Sequence, residues 1–386
     1  MNERSRRDIT PNVCYVIPEH RVDSVEHFAH VPRLIAALAE RVRVSVVIER
    51  GEPLEIPGVA PMIVMRAGNQ RSLRRIFEYV RVARHVKGAE FDTYFLRYSR
   101  LAASTLVLTR PLFHHRIIYW SSGQADMRDP DGHERQWKRR LDTAWNRWVL
   151  RKVDRVVTGP ETMVDYMTRR WTLPPRHVSL LYNDVDVQRF SPADDETRTA
   201  LRKRFGWEHD FVILMVHRLA YRRGSRLLVP IMEHLRASGI DDAKLVVVGD
   251  GPDAERVRNE AATSAAWASI ELAGAIANRE LPDLYRAADC FLMPSYEEGF
   301  PRVLLEAMSS ALPIVTTSAG GAADIVGSGY PGLVGIGDVA AIATALECMY
   351  AMSAAERDAL AAGLRERAVA RFSTDRVADA FVDLLS

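Results

Sequence analysis

Short apolar runs alternate with segments of helical period along most of the chain, and they do so in two successive series. In the first series NVCYVIPE (12–19), VRVSVVIE (42–49), PMIVM (61–65), FDTYFLRYS (91–99), RIIYW (116–120) and RVVTGP (155–160) read as strands. Between them 25–41, 71–86, 101–112, 135–155 and 161–171 carry apolar residues at helical spacing. Near-continuous apolar strands separated by helices imply a parallel sheet covered on both faces. The second series sets FVILMVHRL (211–219), AKLVVVGDG (243–251), SIELAG (269–274) and CFLM (290–293) as strands, with helices over 225–237, 253–262 and 279–288. Two such series in 386 residues predict an α/β fold of two doubly wound domains facing a cleft.

Residues 178–192 run out of regularity, and Pro192, Asp194, Asp195 and Glu196 supply a polar break. The expected domains are therefore 1–190 and 191–370. Helices over 354–372 and 374–385 close the chain, and the final segment, 371–386, is expected to pack back across the cleft.

Composition removes several classes of function. A formal net charge of +2 gives no electrostatic case for nucleic acid as partner. Cys14, Cys290 and Cys348 are distant, odd in number and set in apolar segments, as core residues in a reducing compartment would be. No apolar run reaches the roughly 18 to 20 residues that cross a bilayer, and MNERSRRDIT has no signal-peptide core, so a cytoplasmic protein is expected. His20, His27, His30, His114, His115 and His133 are scattered without metal-ligand spacing, which excludes a zinc site.

Residues 293–326, MPSYEEGFPRVLLEAMSSALPIVTTSAGGAADIV, concentrate the chemistry. The pattern is strand, loop, helix, strand. Pro301 and Arg302 open the helix, where proline's missing N–H costs nothing because that donor has no intrahelical partner. Loop amides and the helix N-terminus then face one space suited to an anion or to sugar hydroxyls. Glu298 is expected at the mouth of that space and Glu306 about two turns into the helix, so that both carboxylates grip one extended ligand.

The loop VHRLAYRRG (216–224) leaves a strand end carrying Arg218, Arg222 and Arg223. Their guanidinium groups would neutralise a diphosphate without a metal; a solvated arginine cluster is the plainer alternative. GDGPDA (249–254) fits G-x-G-x-x-A, with Glu271 about 20 residues on, but lies on a later strand and carries Pro252 and Asp253. A turn opening a helix explains it better than a dinucleotide site. Asp184 and Asp186, in the linker, are read as a structural turn rather than a metal site.

In the first domain, ligands are expected beyond the C-terminal strand ends, at 18–26, 97–100 and 121–131. The helix over 135–155 follows a polar loop and joins Trp137, Trp145 and Trp148 to eight basic and three acidic residues between 134 and 155. It is either a solvated face with its tryptophans packed on the domain or a surface for an anionic membrane or lipid-phosphate acceptor.

Glu298-Gly299-Phe300-Pro301 with Glu306-Ala307-Met308, continued by Ala311-Leu312-Pro313-Ile314-Val315, resembles the paired-glutamate motif of glycosyltransferase family 4, a retaining group with the GT-B fold of two Rossmann-like domains. Arg218-Leu219 with Arg223-Gly224 is similar to the family's Arg-Leu and Lys-Gly pair, and Gly249-Asp250-Gly251-Pro252 to its Gly-x-Gly-Pro turn. Asn183, Asp186 and Phe190 match its linker, and Gly320-Gly321 with Asp324 its next loop, where Glu is commoner. The resemblance covers roughly 180–326.

It implies that Arg218 and Arg223 hold the donor diphosphate, that Glu306 takes the ribose hydroxyls, and that Glu298 with the amides of Gly299 and Phe300 holds the transferred sugar. Pro301 and Gly251 would complete the donor site. A retaining transfer of a hexose from a UDP-, GDP- or ADP-sugar to a hydroxyl acceptor follows, with no cofactor and no metal. The first domain departs from the pattern: PEHRVDS (18–24) lacks the family's glycine pair, and Ser121-Ser122-Gly123 stands where a histidine is frequent. Ser121, Ser122, His133 and Arg97 are the acceptor-side candidates. A same-fold epimerase or hydrolase and a non-catalytic nucleotide-sugar-binding protein are the rival functions.

Overall fold

The computed structural model describes residues 11–20, 30–59, 62–66, 73–97, 99–121 and 136–385. Seven strands form the first sheet: β1 (Asn12–Ile17), β2 (Arg43–Ile48), β3 (Met62–Val64), β4 (Thr93–Arg97), β5 (Arg116–Trp120), β6 (Arg155–Thr158) and β7 (Val178–Leu180). All pair in parallel, in the order β3-β2-β1-β4-β5-β6-β7. Helices α1 (Val31–Ala39), α2 (Leu73–Gly88), α3 (Arg100–Phe113), α4 (Gln136–Lys152) and α5 (Glu161–Arg170) connect them. β1 is buried along its whole length, which is why it reads as an apolar run and not as an alternation.

The second sheet is also parallel, in the order β10-β9-β8-β11-β12-β13. Its strands are β8 (Phe211–Val216), β9 (Ala243–Val248), β10 (Ile270–Gly274), β11 (Cys290–Met293), β12 (Ile314–Thr317) and β13 (Leu333–Val334). Chain direction across the sheet reverses between β1 and β4 in the first domain and between β8 and β11 in the second. Those two switch points are where crossover helices diverge and leave a crevice beyond the carboxyl ends of the strands.

Two segments differ from the sequence expectation. Residues 178–180 are not irregular but form β7, which closes the sheet edge against β6 through Val156–Val178 and Thr158–Leu180 pairing. The polar break contains a helix start: the Asp194 side chain accepts the Thr197 N–H at 2.8 Å and opens α6 (Asp195–Phe205). Short polar runs serve helix caps as readily as linkers.

α14 (Thr374–Leu385) lies on the first domain beside α1. Its Phe381 packs against Tyr15 and Phe95, and Arg41 of the first domain binds Asp375 at 3.1 Å and Asp379 at 2.7 Å. The chain thus passes between domains twice, and the passages pair: Val185 N–H donates to Phe372 O at 2.8 Å. Asp184, fully buried, takes Arg302 at 3.3 Å and the Thr374 hydroxyl at 3.0 Å.

Candidate active site

At the switch point of the second sheet, loop 217–224 leaves β8 and loop 294–301 leaves the adjacent β11. Gly224, at φ +74°, lets them touch: a Cβ there would stand 2.1 Å from the Pro294 carbonyl oxygen. Gly251 plays a similar part on the other flank, where a Cβ would meet the Leu219 carbonyl oxygen at 2.1 Å. The Leu219 N–H donates to Asp250 O at 3.0 Å. Gly251 therefore supports the arginine loop from beneath.

Glu298 is buried among protein donors rather than standing at the mouth of the loop, a correction to the sequence expectation. Its Oε1 accepts from the Ser295 hydroxyl at 2.8 Å and from His217 Nε2 at 2.9 Å, and its Oε2 pairs with Arg223. His217 Nδ1 accepts the Arg218 N–H at 2.9 Å, which assigns the ring proton to Nε2. Burial pushes the Glu298 carboxyl up, but His217, Arg223 and Ser295 outweigh it and hold it at about 2. Its ionised form is thus fixed in place, and Arg223 also donates to the Glu297 carbonyl at 2.7 Å. Arg218 is exposed and has no ion pair among the described residues.

Pro301, extended at φ −70°, caps α10 (Arg302–Ser309). Glu306, one of the buried residues of that helix, accepts from the Tyr285 hydroxyl at 3.0 Å through Oε2. Burial raises its carboxyl, against the opposing pull of Arg302, Tyr285 and Arg189.

The loop is also the seam between domains. Phe300 stacks on Tyr182 with centroids 5.1 Å apart, and its carbonyl accepts from Asn183 at 2.8 Å. Gly159, after β6, lies so close that a Cβ would stand 2.8 Å from Phe300 Cβ. Gly299 O accepts the Gly321 N–H at 2.8 Å. Asp324, in α11 (Ala322–Val326), accepts the Glu161 N–H of α5 at 2.7 Å. Asp184 and Asp186 do not converge: Asp184 serves Arg302 and Thr374, while Asp186 pairs with Arg33.

A profile described as "Glycosyl transferases group 1" matches 197–366, and one described as "Glycosyl transferase 4-like domain" matches 29–184. The chain belongs to the family 4 type of glycosyltransferases. Mannosylfructose-phosphate synthase of Agrobacterium fabrum is 31% identical over 181 residues, 45% of this chain and 39% of that protein. A GDP-mannose-dependent α-(1-6)-phosphatidylinositol monomannoside mannosyltransferase of Mycobacterium tuberculosis is 32% identical over 213 residues, 53% of this chain and 54% of that protein. The chain thus spans about half the length of the curated relatives it matches. Anabaena HepE, solved with UDP, superposes at a TM-score of 0.73 and 17% identity, over 97% of this chain and 99% of that one, and shares the GT-B fold.

In this chain the second-domain candidates meet around the β8 and β11 loops, and of the first-domain candidates Arg97 and Ser121 are among the described residues. Arg97 ends β4, is buried, and lies over the Trp120 ring at 4.4 Å. Ser121 follows β5 and donates its N–H to Val157 O at 2.8 Å. Ser122 and His133 lie outside the described residues. His217, Ser295 and Tyr285 were not singled out by sequence reasoning. For His217 a signal existed, since it directly precedes Arg218 at a strand end.

Proposed function

We propose that this glycosyltransferase moves a hexose from a UDP-, GDP- or ADP-sugar to a hydroxyl acceptor with retention, requiring neither cofactor nor metal. The observation that carries the reading is the junction of the β8 and β11 loops, where Arg218 and Arg223 stand beside the Glu298 loop and the start of α10. Arg218, exposed, reaches the diphosphate; Arg223 adds charge from a position that Glu298 holds. The amides of Gly299 and Phe300 face the sugar, and Glu306, tethered by Tyr285, takes the ribose hydroxyls. The bond from the anomeric carbon to the diphosphate breaks as the acceptor oxygen bonds on the same face, and a diphosphate oxygen takes the acceptor's proton. The GDP-mannose-dependent relative and the UDP-bound structural neighbour fit this donor class.

The test is Glu306→Ala with nucleotide-sugar affinity as readout. A thermal-shift panel of UDP-, GDP- and ADP-sugars identifies the donor first, since ligand at about 100 times its Kd stabilises by about 2.7 kcal/mol. Unchanged affinity in the variant removes the ribose role.

The site of action we place in the cytoplasm at an anionic membrane face. Phe77 on α2, Leu108 and Leu112 on α3, and Trp137 and Leu141 on α4 are each more than half exposed, on helices that pack side by side. Exposed apolar groups spread along α2, α3 and α4, together with the exposed Arg140, Arg147 and Arg151 of α4, suit an interface better than a solvated face. Trp145 follows the plainer reading in part, since its indole N–H donates to Ser104 at 2.8 Å.

A further inference from the structure

Arg97 is 4% exposed and carries a fixed positive charge at the switch point of the first sheet. Its Nη1 donates to His30 Nε2 at 3.1 Å and its guanidinium plane lies over Trp120. Nε and Nη2, both buried, have no hydrogen-bond partner among the described residues. Among the described residues Arg97 has no carboxylate partner; Asp184, the carboxylate whose charge reaches neighbouring Tyr15, is taken by Arg302 and Thr374. Tyr15, on the adjacent strand β1, has its phenol against Arg97 and feels both its charge and its N–H donors, and that hydroxyl has no other hydrogen-bond partner among the described residues.

The identity of the unpaired atoms is informative. Nε–H and the outer N–H of Nη2 run parallel along one side of the guanidinium and form its side-on fork, the geometry that binds two oxygens of one carboxylate or phosphate. A buried cation is retained when something pairs with it, because leaving it unpaired is costly. Here the His30 contact and the Trp120 stack hold the guanidinium while its fork has no anionic partner among the described residues. Crevices beyond the strand ends at a switch point are where α/β sheets take ligands.

We propose that the Arg97 fork, with the Tyr15 hydroxyl as a third donor, binds a carboxylate or phosphate oxyanion carried by the acceptor. The acceptor is then an anionic hydroxyl compound, oriented by its charge on the first domain while the sugar is held on the second. This rests on the reading of the first domain as the acceptor side.

The test titrates inorganic phosphate, and separately acetate, into the full chain by calorimetry. UDP, GDP and ADP are present at millimolar concentration to occupy the donor side. Wild-type protein is expected to bind one of the two anions, which distinguishes phosphate from carboxylate. Arg97→Lys, keeping the charge and losing the fork, weakens that binding about tenfold, and Tyr15→Phe weakens it by about threefold. Nucleoside diphosphate affinity stays at the wild-type value in both. Equal anion affinity in wild type and Tyr15→Phe and Arg97→Lys, absence of anion binding by wild type, or joint loss of nucleotide and anion binding overturns the proposal. Should Arg97→Lys fail to fold, Tyr15→Phe decides alone. Absence of nucleotide binding in wild type counts against the donor reading, and the anion titration reports independently of it.

Discussion

Asp324 of the second domain accepts the backbone N–H of Glu161, the first residue of α5 in the first domain, at 2.7 Å. A carboxylate in this position satisfies a helix N-terminal donor that has no intrahelical partner, and it does so across the cleft. Next to it Glu161 accepts from the Tyr182 hydroxyl at 2.6 Å and from Arg371 at 3.1 Å. The seam is therefore closed by directional bonds as well as by the Phe300 stack.

Removing this cap should loosen the closed arrangement. Asp324→Ala is expected to cost about 1 kcal/mol, the usual value of a helix N-cap. Amide hydrogen exchange at Glu161 and Thr162 should accelerate while exchange in β8 and β9 stays unchanged. Equal exchange at α5 would show that the contact does not hold the domains.

The Glu298 carboxyl lies at about 2 in the fold against an ordinary 4.5. Since the folded value is depressed, the stabilisation it brings is complete above about pH 5 and is lost as pH falls from 4.5 towards 2. The difference corresponds to about 3 kcal/mol. Denaturant midpoints of wild type and Glu298→Gln should differ most at neutral pH and converge below pH 4.5. A gap independent of pH would mean that the charge is not what stabilises.

Gly224→Ala places a Cβ in a left-handed backbone position, costing about 1 to 2 kcal/mol. It also drives that carbon against Pro294 O. The midpoint of thermal unfolding should fall, and nucleotide-sugar affinity should fall further, because the β8 and β11 loops must part. Loss of stability with affinity preserved would detach the loop contact from donor binding.

For the membrane surface, Leu108→Ser with Leu141→Ser should weaken sedimentation with anionic liposomes, and charge reversal at Arg140, Arg147 and Arg151 should weaken it by about tenfold or more. Binding by wild type should decline with added salt. Persistence after charge reversal would exclude an electrostatic surface.

Residues 293–326 were legible because one strand, loop and helix carry them: Glu298, Pro301 and Glu306 follow from local rules of period and capping. β7 and the α6 cap were not, since three residues of edge strand carry no period and Asp194 reads equally as linker. Arg97 was visible only as a residue at a strand end. How its guanidinium is held depends on His30, 67 positions away, and on Trp120 in the next strand.

The sequence by itself determined two parallel sheets and the family motif, since apolar runs and the contiguous Glu298 to Glu306 segment are properties of neighbouring residues. Only the tertiary structure decided that Glu298 is sequestered. The His217 that binds it is 81 residues distant and arrives because β8 and β11 pair at the switch point. Periodicity records which side of an element is buried, whereas the partner of a buried charge is set by which elements pack together.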